Sequence, residues 1–266
     1  MADVLQDYRT VWDRKPVLRL VYNDFYERIA DACASGMTIE IGGGIGNLKQ
    51  RLKDVVATDI QFESGLDCVA DAQYLPFATG IAANIVMVDV LHHIEFPIVF
   101  FREAERVLRS DGRLIMVEPA ITWGSTLFYR LLHQEPVRTS ADPFIEGVPD
   151  PQRDPYDSNQ AIPTLLATRD RERFHRLFPN LKISGVDWFS LTVYPLSGGF
   201  KSWSLVPEML ASPMLRVERA VEPFLGRFAA FRMMLVIEKT NAHRRGFAPS
   251  CSKRYDTPNY LRGAEP

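Results

Sequence analysis

Two spacings of apolar residues divide this chain. Val17, Leu18, Val21, Tyr22, Phe25 and Ile29 recur every three or four positions. That spacing predicts that residues 1–36 are helical and bury one stripe. Beyond it the apolar residues gather into short runs at Thr38–Ile41, Val55–Thr58, Leu66–Ala70, Ile85–Val88, Arg113–Val117, Leu181–Val186 and Phe231–Glu238. These read as strands. A short helix is expected from Asn47, and another from Pro97, with Ile98, Phe101, Ala104, Val107 and Leu108 inward and Ser110-Asp111-Gly112 at its end. A further helix is expected at Thr168–Phe178. Strands alternating with helices predict an α/β domain, a parallel sheet covered on both faces. Right-handed crossovers set all the strand carboxyl ends, and any ligand, along one edge. Two stretches interrupt the pattern and are expected as cap insertions, 120–163 and 190–228. The first holds one amphipathic helix around Leu127, Phe128, Leu131 and Leu132, then loop rich in proline, aspartate and glycine.

The first two strands flank the most informative stretch, from Thr38 to Asp59. Gly42, Gly43, Gly44 and Gly46 follow the first strand directly. Such a turn lets backbone approach a ligand closely, and a helix beginning at Asn47 would aim free N–H groups into it. Asp59 ends the second strand, about twenty residues on, where a carboxylate meets ribose hydroxyls. The stretch reads as a nucleoside site. Asn47 stands where the G-x-G-x-x-G spacing of dinucleotide sites needs a third glycine, which counts against NAD.

Composition narrows the class. At 266 residues, 46% hydrophobic and 24% charged, the chain can bury the core of one large domain. A net charge of −2 argues against bulk nucleic-acid binding. Cys33, Cys68 and Cys251 are few and lack metal-ligand spacing, as free thiols in a reducing compartment would be. The amino-terminal charges and the absence of an 18-residue apolar run point to a soluble, cytoplasmic protein. Residues 1–240 are expected as one domain and 241–266 as a disordered tail. Arg244, Arg245, Lys253, Arg254 and Arg262 make that tail basic, a solvated terminus or a weak peripheral contact with anionic membranes.

In order along the chain, Glu40-Ile41-Gly42-Gly43-Gly44-Ile45-Gly46, Asp59, Asp71-Ala72, Leu75-Pro76-Phe77, Val90-Leu91-His92-His93-Ile94, Arg106-Val107-Leu108-Arg109-Ser110-Asp111-Gly112 and Glu118-Pro119 resemble class I S-adenosylmethionine-dependent methyltransferases. The resemblance implies a doubly wound, seven-stranded sheet, mostly parallel with the last strand antiparallel. It also assigns roles. Gly42, Gly43 and Gly44 would lie against the methionine part of the cofactor, with Glu40 shaping the turn. Asp59 would hold the ribose, with Ile60 beside it. Asp71 and Ala72 would meet the adenine, although Asp71 also suits a turn cap. Asp89 and Val90 would contact the methionine amino end or the sulfonium side. Arg109-Ser110-Asp111-Gly112 replaces the usual lysine-proline-glycine-glycine turn, a structural departure.

For an alcohol acceptor the candidate bases are His92, His93, His133 and Glu118; each histidine also suits a structural role, and Glu118 could orient a loop. The five histidines lack ligand spacing, so no metal is expected. Acceptor recognition is expected from the caps, with Trp123, Tyr156, Asn159, Gln160, Gly198 and Gly199 as candidates. Aromatic and amide surfaces suit a glycan, a glycolipid or another small molecule. Leu196-Ser197-Gly198-Gly199-Phe200 also resembles bacterial methyltransferases associated with surface-polysaccharide synthesis. O-methylation is the leading expectation. A cofactor-binding partner protein without its own turnover and an NAD-dependent oxidoreductase are the alternatives.

Overall fold

A computed structural model describes residues 4–132 and 136–240. The chain opens with two helices, α1 (Val4–Arg14) and α2 (Pro16–Ala32). It continues through β1 (Thr38–Ile41), β2 (Val55–Asp59), β3 (Cys68–Val69), β4 (Ala82–Val88), α3 (Pro97–Val107) and β5 (Leu108–Pro119). Then come α4 (Trp123–Leu132), α5 (Ile162–Ala167), α6 (Arg171–Leu177), β6 (Leu181–Phe189), α7 (Val193–Ser197), α8 (Glu208–Ala229) and β7 (Arg232–Lys239). One seven-stranded sheet has the order β3-β2-β1-β4-β5-β7-β6. β7 runs antiparallel to both its neighbours and the remaining pairs are parallel, as the resemblance implied.

Period-two alternation explains the two cores. Ile85 and Met87 of β4, and Leu114 and Met116 of β5, face a cluster with Ile98 and Phe101 of α3, Leu166 of α5 and Phe174 of α6. Val86, Ile115 and Val117 face the other way, against Leu18, Val21, Tyr22, Phe25 and Ile29 of α2. The apolar stripe read from residues 17–29 therefore packs on that face of the sheet, beside Val193 and Ala211.

Several boundaries differ from expectation. The helix expected from Asn47 is a single 3-10 turn, Leu48–Gln50. Positive φ at Gly42, Gly44 and Gly46 uses up the start of the connection, α2 already covers that face, and buried Leu48 alone anchors the turn. The strand expected over Leu66–Ala70 shrinks to Cys68–Val69. β5 begins at Leu108, since Leu108 pairs with Ala82 before 109–112 loop out and Arg113 pairs with Asn84. The helix expected at Thr168–Phe178 is α6, Arg171–Leu177, and α5 precedes it, beginning at the end of the stretch expected as loop. Pro163, read as loop, lies in the first turn of α5, where its missing N–H costs nothing. His133 and the tail 241–266 lie outside the described residues.

Candidate functional site

The glycine turn follows β1 directly. Gly42 has φ +70°, and a Cβ there would sit 2.2 Å from Val90 Cγ2, so only glycine fits. Gly44, at φ +51°, donates its N–H to Asp59 Oδ2 at 2.9 Å. Gln61 donates its backbone N–H to Asp59 Oδ1 at 3.0 Å. Asp59 thus ties the turn to the end of β2, with an acceptor position left on each oxygen for ribose hydroxyls. Ile60 is about half exposed beside it. Asp71 Oδ1 accepts from the Gln73 N–H at 2.8 Å, the turn-capping alternative. Ala72 is buried in the core on the α3 side.

Glu40 lies under this turn. Its carboxylate is buried, and Oε2 has no partner among the described residues. A Cβ on Gly43 would come within 3.2 Å of that oxygen. Burial pushes the Glu40 carboxyl up to about 8, against the opposing pull of Lys49. A buried acceptor without a donor is costly, and the ammonium of a methionine-type ligand is the group that would satisfy it. The residues around the turn therefore fit S-adenosylmethionine: donor-seeking Glu40 at one end, Asp59 in the middle, Asp71 at the other.

Past β4 the chain takes a strained step. Asp89 has φ +59°, and its carboxylate is paired with Arg232 at the start of β7 and accepts from Tyr22 Oη at 3.4 Å. Arg232 is itself buried; it donates to Tyr194 Oη as well, and its Nε has no partner among the described residues. Reading the sequence missed Arg232. Its one signal was a cation inside the otherwise apolar run Phe231–Val236.

A second polar knot follows at once. Buried Glu118 accepts the backbone N–H groups of Val90 (3.0 Å) and Leu91 (2.7 Å) on Oε1, while Oε2 lies 2.6 Å from His92 Nδ1. Burial raises the Glu118 carboxyl to about 7, against the pull of those N–H groups. The His93 ring lies 4.1 Å from that of His92, and its Nδ1 is buried with no partner among the described residues. Donor atoms of Asp89, His92 and Glu118 fall within 4.8 Å of one another. Arg232 already neutralises Asp89, however, and Glu118 is committed to two N–H groups and His92.

The cap residues divide. Asn159 N–H donates to His92 O at 2.8 Å, and its side chain closes a loop with Arg138 and Ala161. Gln160 is buried next to it, its N–H on Pro136 O. Arg153 holds His93 O at 2.6 Å, so segment 153–160 clamps the histidine turn. Tyr156 Oη donates to Gln61 Oε1 at 3.3 Å, which puts it on the ribose side. Gly198 and Gly199 both have positive φ; Lys15 Nζ donates to Gly199 O, Lys201 O and Trp203 O, pinning that loop to the α1–α2 junction. Phe200 then packs on Tyr8 and Tyr22, next to Asp89. Trp123 stands apart, 90% exposed at the start of α4.

Residues 39–116 match the family profile of a methyltransferase domain. Among solved structures, the fold resembles a S-adenosylmethionine-dependent methyltransferase of Thermotoga maritima, described as a possible histamine N-methyltransferase. That match has a TM-score of 0.56 at 14% identity and covers 91% of this chain and all of that one. A putative methyltransferase of Bacillus halodurans gives 0.47 at 16%, covering 82% of this chain and all of that one. Geranyl diphosphate C-methyltransferase of Streptomyces coelicolor gives 0.46 at 11%, covering 82% and 76%. No curated protein matches the sequence.

Proposed function

We propose that the chain is a class I S-adenosylmethionine-dependent methyltransferase and that it methylates an oxygen of a small-molecule or glycan acceptor held between the histidine turn and the 198–203 loop. One observation carries the oxygen assignment. The Glu118–His92–His93 group sits directly after Val90, the residue packed on Gly42, so a proton-accepting group adjoins the methionine end of the cofactor site. S-adenosylmethionine supplies an electrophilic methyl group on a sulfonium.

The residues of this chain do the rest. Glu40 receives the ammonium, and Asp59 and Asp71 fix the ribose and adenine. Alignment within a covered site then supplies most of the rate. Arg9 reaches Glu63 at 2.6 Å, laying α1 over the loop after β2 and keeping water out. His93, with Nδ1 unpartnered, accepts the hydroxyl proton of the acceptor. The imidazolium so formed is stabilised by the Glu118 carboxylate, which His92 and two N–H groups hold in place. Since Glu118 must be ionised for this, turnover rises with pH through about 7.

The test has two arms. In calorimetry, Asp59→Ala weakens S-adenosylhomocysteine binding at least about tenfold, or about 1.4 kcal/mol; unchanged affinity would remove Asp59 from the site. With methyl-labelled cofactor and a panel of sugars and glycolipids, His93→Gln and Glu118→Gln lower kcat by roughly 10²–10⁴ at unchanged cofactor affinity. Label recovered on nitrogen or carbon, or full turnover by both variants, would defeat the oxygen assignment while leaving the cofactor site standing.

A further inference from the structure

Helix α8 packs Met214, Leu215 and Val221 inward and still leaves a second apolar face outside. Its buried positions are Ala211, Glu218 and Gly226. Outward it carries Leu210, Val217, Phe224 and Phe228, at spacings that hold one helical face. That face runs ~27 Å at 1.5 Å per residue. α4 extends it. Gly124 abuts the end of α8, where a Cβ would lie 2.9 Å from Ala229 Cα, so the exposed Trp123 and Leu127 stand beside Phe228. Phe224 is 77% exposed and Phe228 65%. Large exposed apolar faces mark interaction sites.

Charge says what covers this one. Arg216 and Arg227 are exposed along α8, Arg219 is turned inward onto Asp24 and Glu27, and between Met209 and Phe228 no acid of the helix is exposed. Glu218 is buried on the N–H groups of Leu191, Thr192 and Val193, and Glu222 is held by Arg28 and the Ser190 N–H. Arginines flanking an apolar stripe with a tryptophan at its end are suited to the boundary between anionic headgroups and acyl chains. A second copy laid on the same face would set arginine against arginine. The bonds to Ser190–Val193 also fix α8 just past the carboxyl end of β6, the sheet edge that holds the site. We propose that the α4–α8 face docks the protein on an anionic membrane surface, presenting the active-site edge to the headgroup layer.

The full-length protein is sedimented with vesicles of phosphatidylglycerol and phosphatidylcholine, and with phosphatidylcholine alone. Binding is expected to the anionic vesicles, weaker at high salt. The double variant Phe224→Glu/Phe228→Glu should bind at least tenfold more weakly, with unchanged melting temperature and S-adenosylhomocysteine affinity. Should that variant misfold, tryptophan emission serves instead: anionic vesicles shift it to the blue in the native chain, and Trp123→Phe abolishes the shift. Neutralising Arg244, Arg245, Lys253 and Arg254 to glutamine should leave most binding intact. The proposal is overturned by absence of vesicle binding, equal binding to both vesicle types, binding that survives the double variant, or loss of binding in the tail variant alone. A dimer in light scattering that Phe224→Glu splits, without vesicle binding, would assign the face to a second copy.

Discussion

Helices α3 and α8 lie against the same sheet and solve opposite problems. α3 buries Ile98, Phe100, Phe101, Ala104 and Val107 and turns Arg102 and Glu105 outward, so burial of apolar area holds it down. α8 packs smaller or half-buried apolar residues, Ala211, Met214, Leu215 and Val221, and is tied down besides by carboxylates. Glu218 alone accepts from the N–H groups of Leu191, Thr192 and Val193 and from Thr192 Oγ1, while phenylalanines face out. An amphipathic pattern therefore says that a helix has two faces without saying which is inside. The partner decides that: α3 meets an apolar sheet face, and α8 meets the unpaired N–H groups that follow β6.

The contrast can be broken by mutation. Phe101→Ala should destabilise by about 3–5 kcal/mol, the cost of a core cavity. Glu218→Ala should cost at least about 2 kcal/mol, because the two buried N–H groups of Leu191 and Val193 lose their acceptor at about 1–3 kcal/mol each. Denaturant unfolding measures both, and a cost under about 1 kcal/mol for Glu218→Ala would mean that α8 is not held by its acid.

Glu40 sharpens the point, being a buried carboxylate whose Oε2 lacks the donors that Glu218 enjoys. The folded chain keeps its proton up to about pH 8, the unfolded chain only to the ordinary 4.5. The stability this provides is complete in acid and is lost as pH rises between those values. Glu40→Gln should thus melt higher than the native chain at pH 8, by about 2–4 °C for each kcal/mol recovered, and nearly equal it at pH 4.5. An equal gap at both pH values would show that the carboxyl is not strained. Phe224→Ser should have the smallest effect, within about 0.5 kcal/mol, because its ring is already in water. A large loss would show that the outer face packs on something within the chain.

The proposed cofactor half was legible because its signals are local. Glu40, the glycines, Asp59 and Asp71 each sit at a strand end or in a tight turn, where neighbours in sequence dictate geometry. The methyltransferase-domain profile matches over residues 39–116, and the seven-stranded sheet has the order and direction that the resemblance implied. The acceptor half was legible only in pieces. His92, His93 and Glu118 were candidates, but their contact joins the ends of two strands, and the Arg232–Asp89 pair joins residues 143 positions apart. Asn159, proposed for the acceptor, is tied by its backbone to His92, and Tyr156 reaches over to Gln61.

By itself, then, the sequence determined the alternation of strands and helices, the buried α2 stripe and the glycine turn, since each follows from residues close along the chain. The tertiary structure alone decided that the first crossover helix shrinks to one 3-10 turn, that α8 leaves an apolar face outside, and that Arg232 meets Asp89. Those outcomes depend on which surfaces remain uncovered, and on which buried polar groups still need partners, once distant strands have paired.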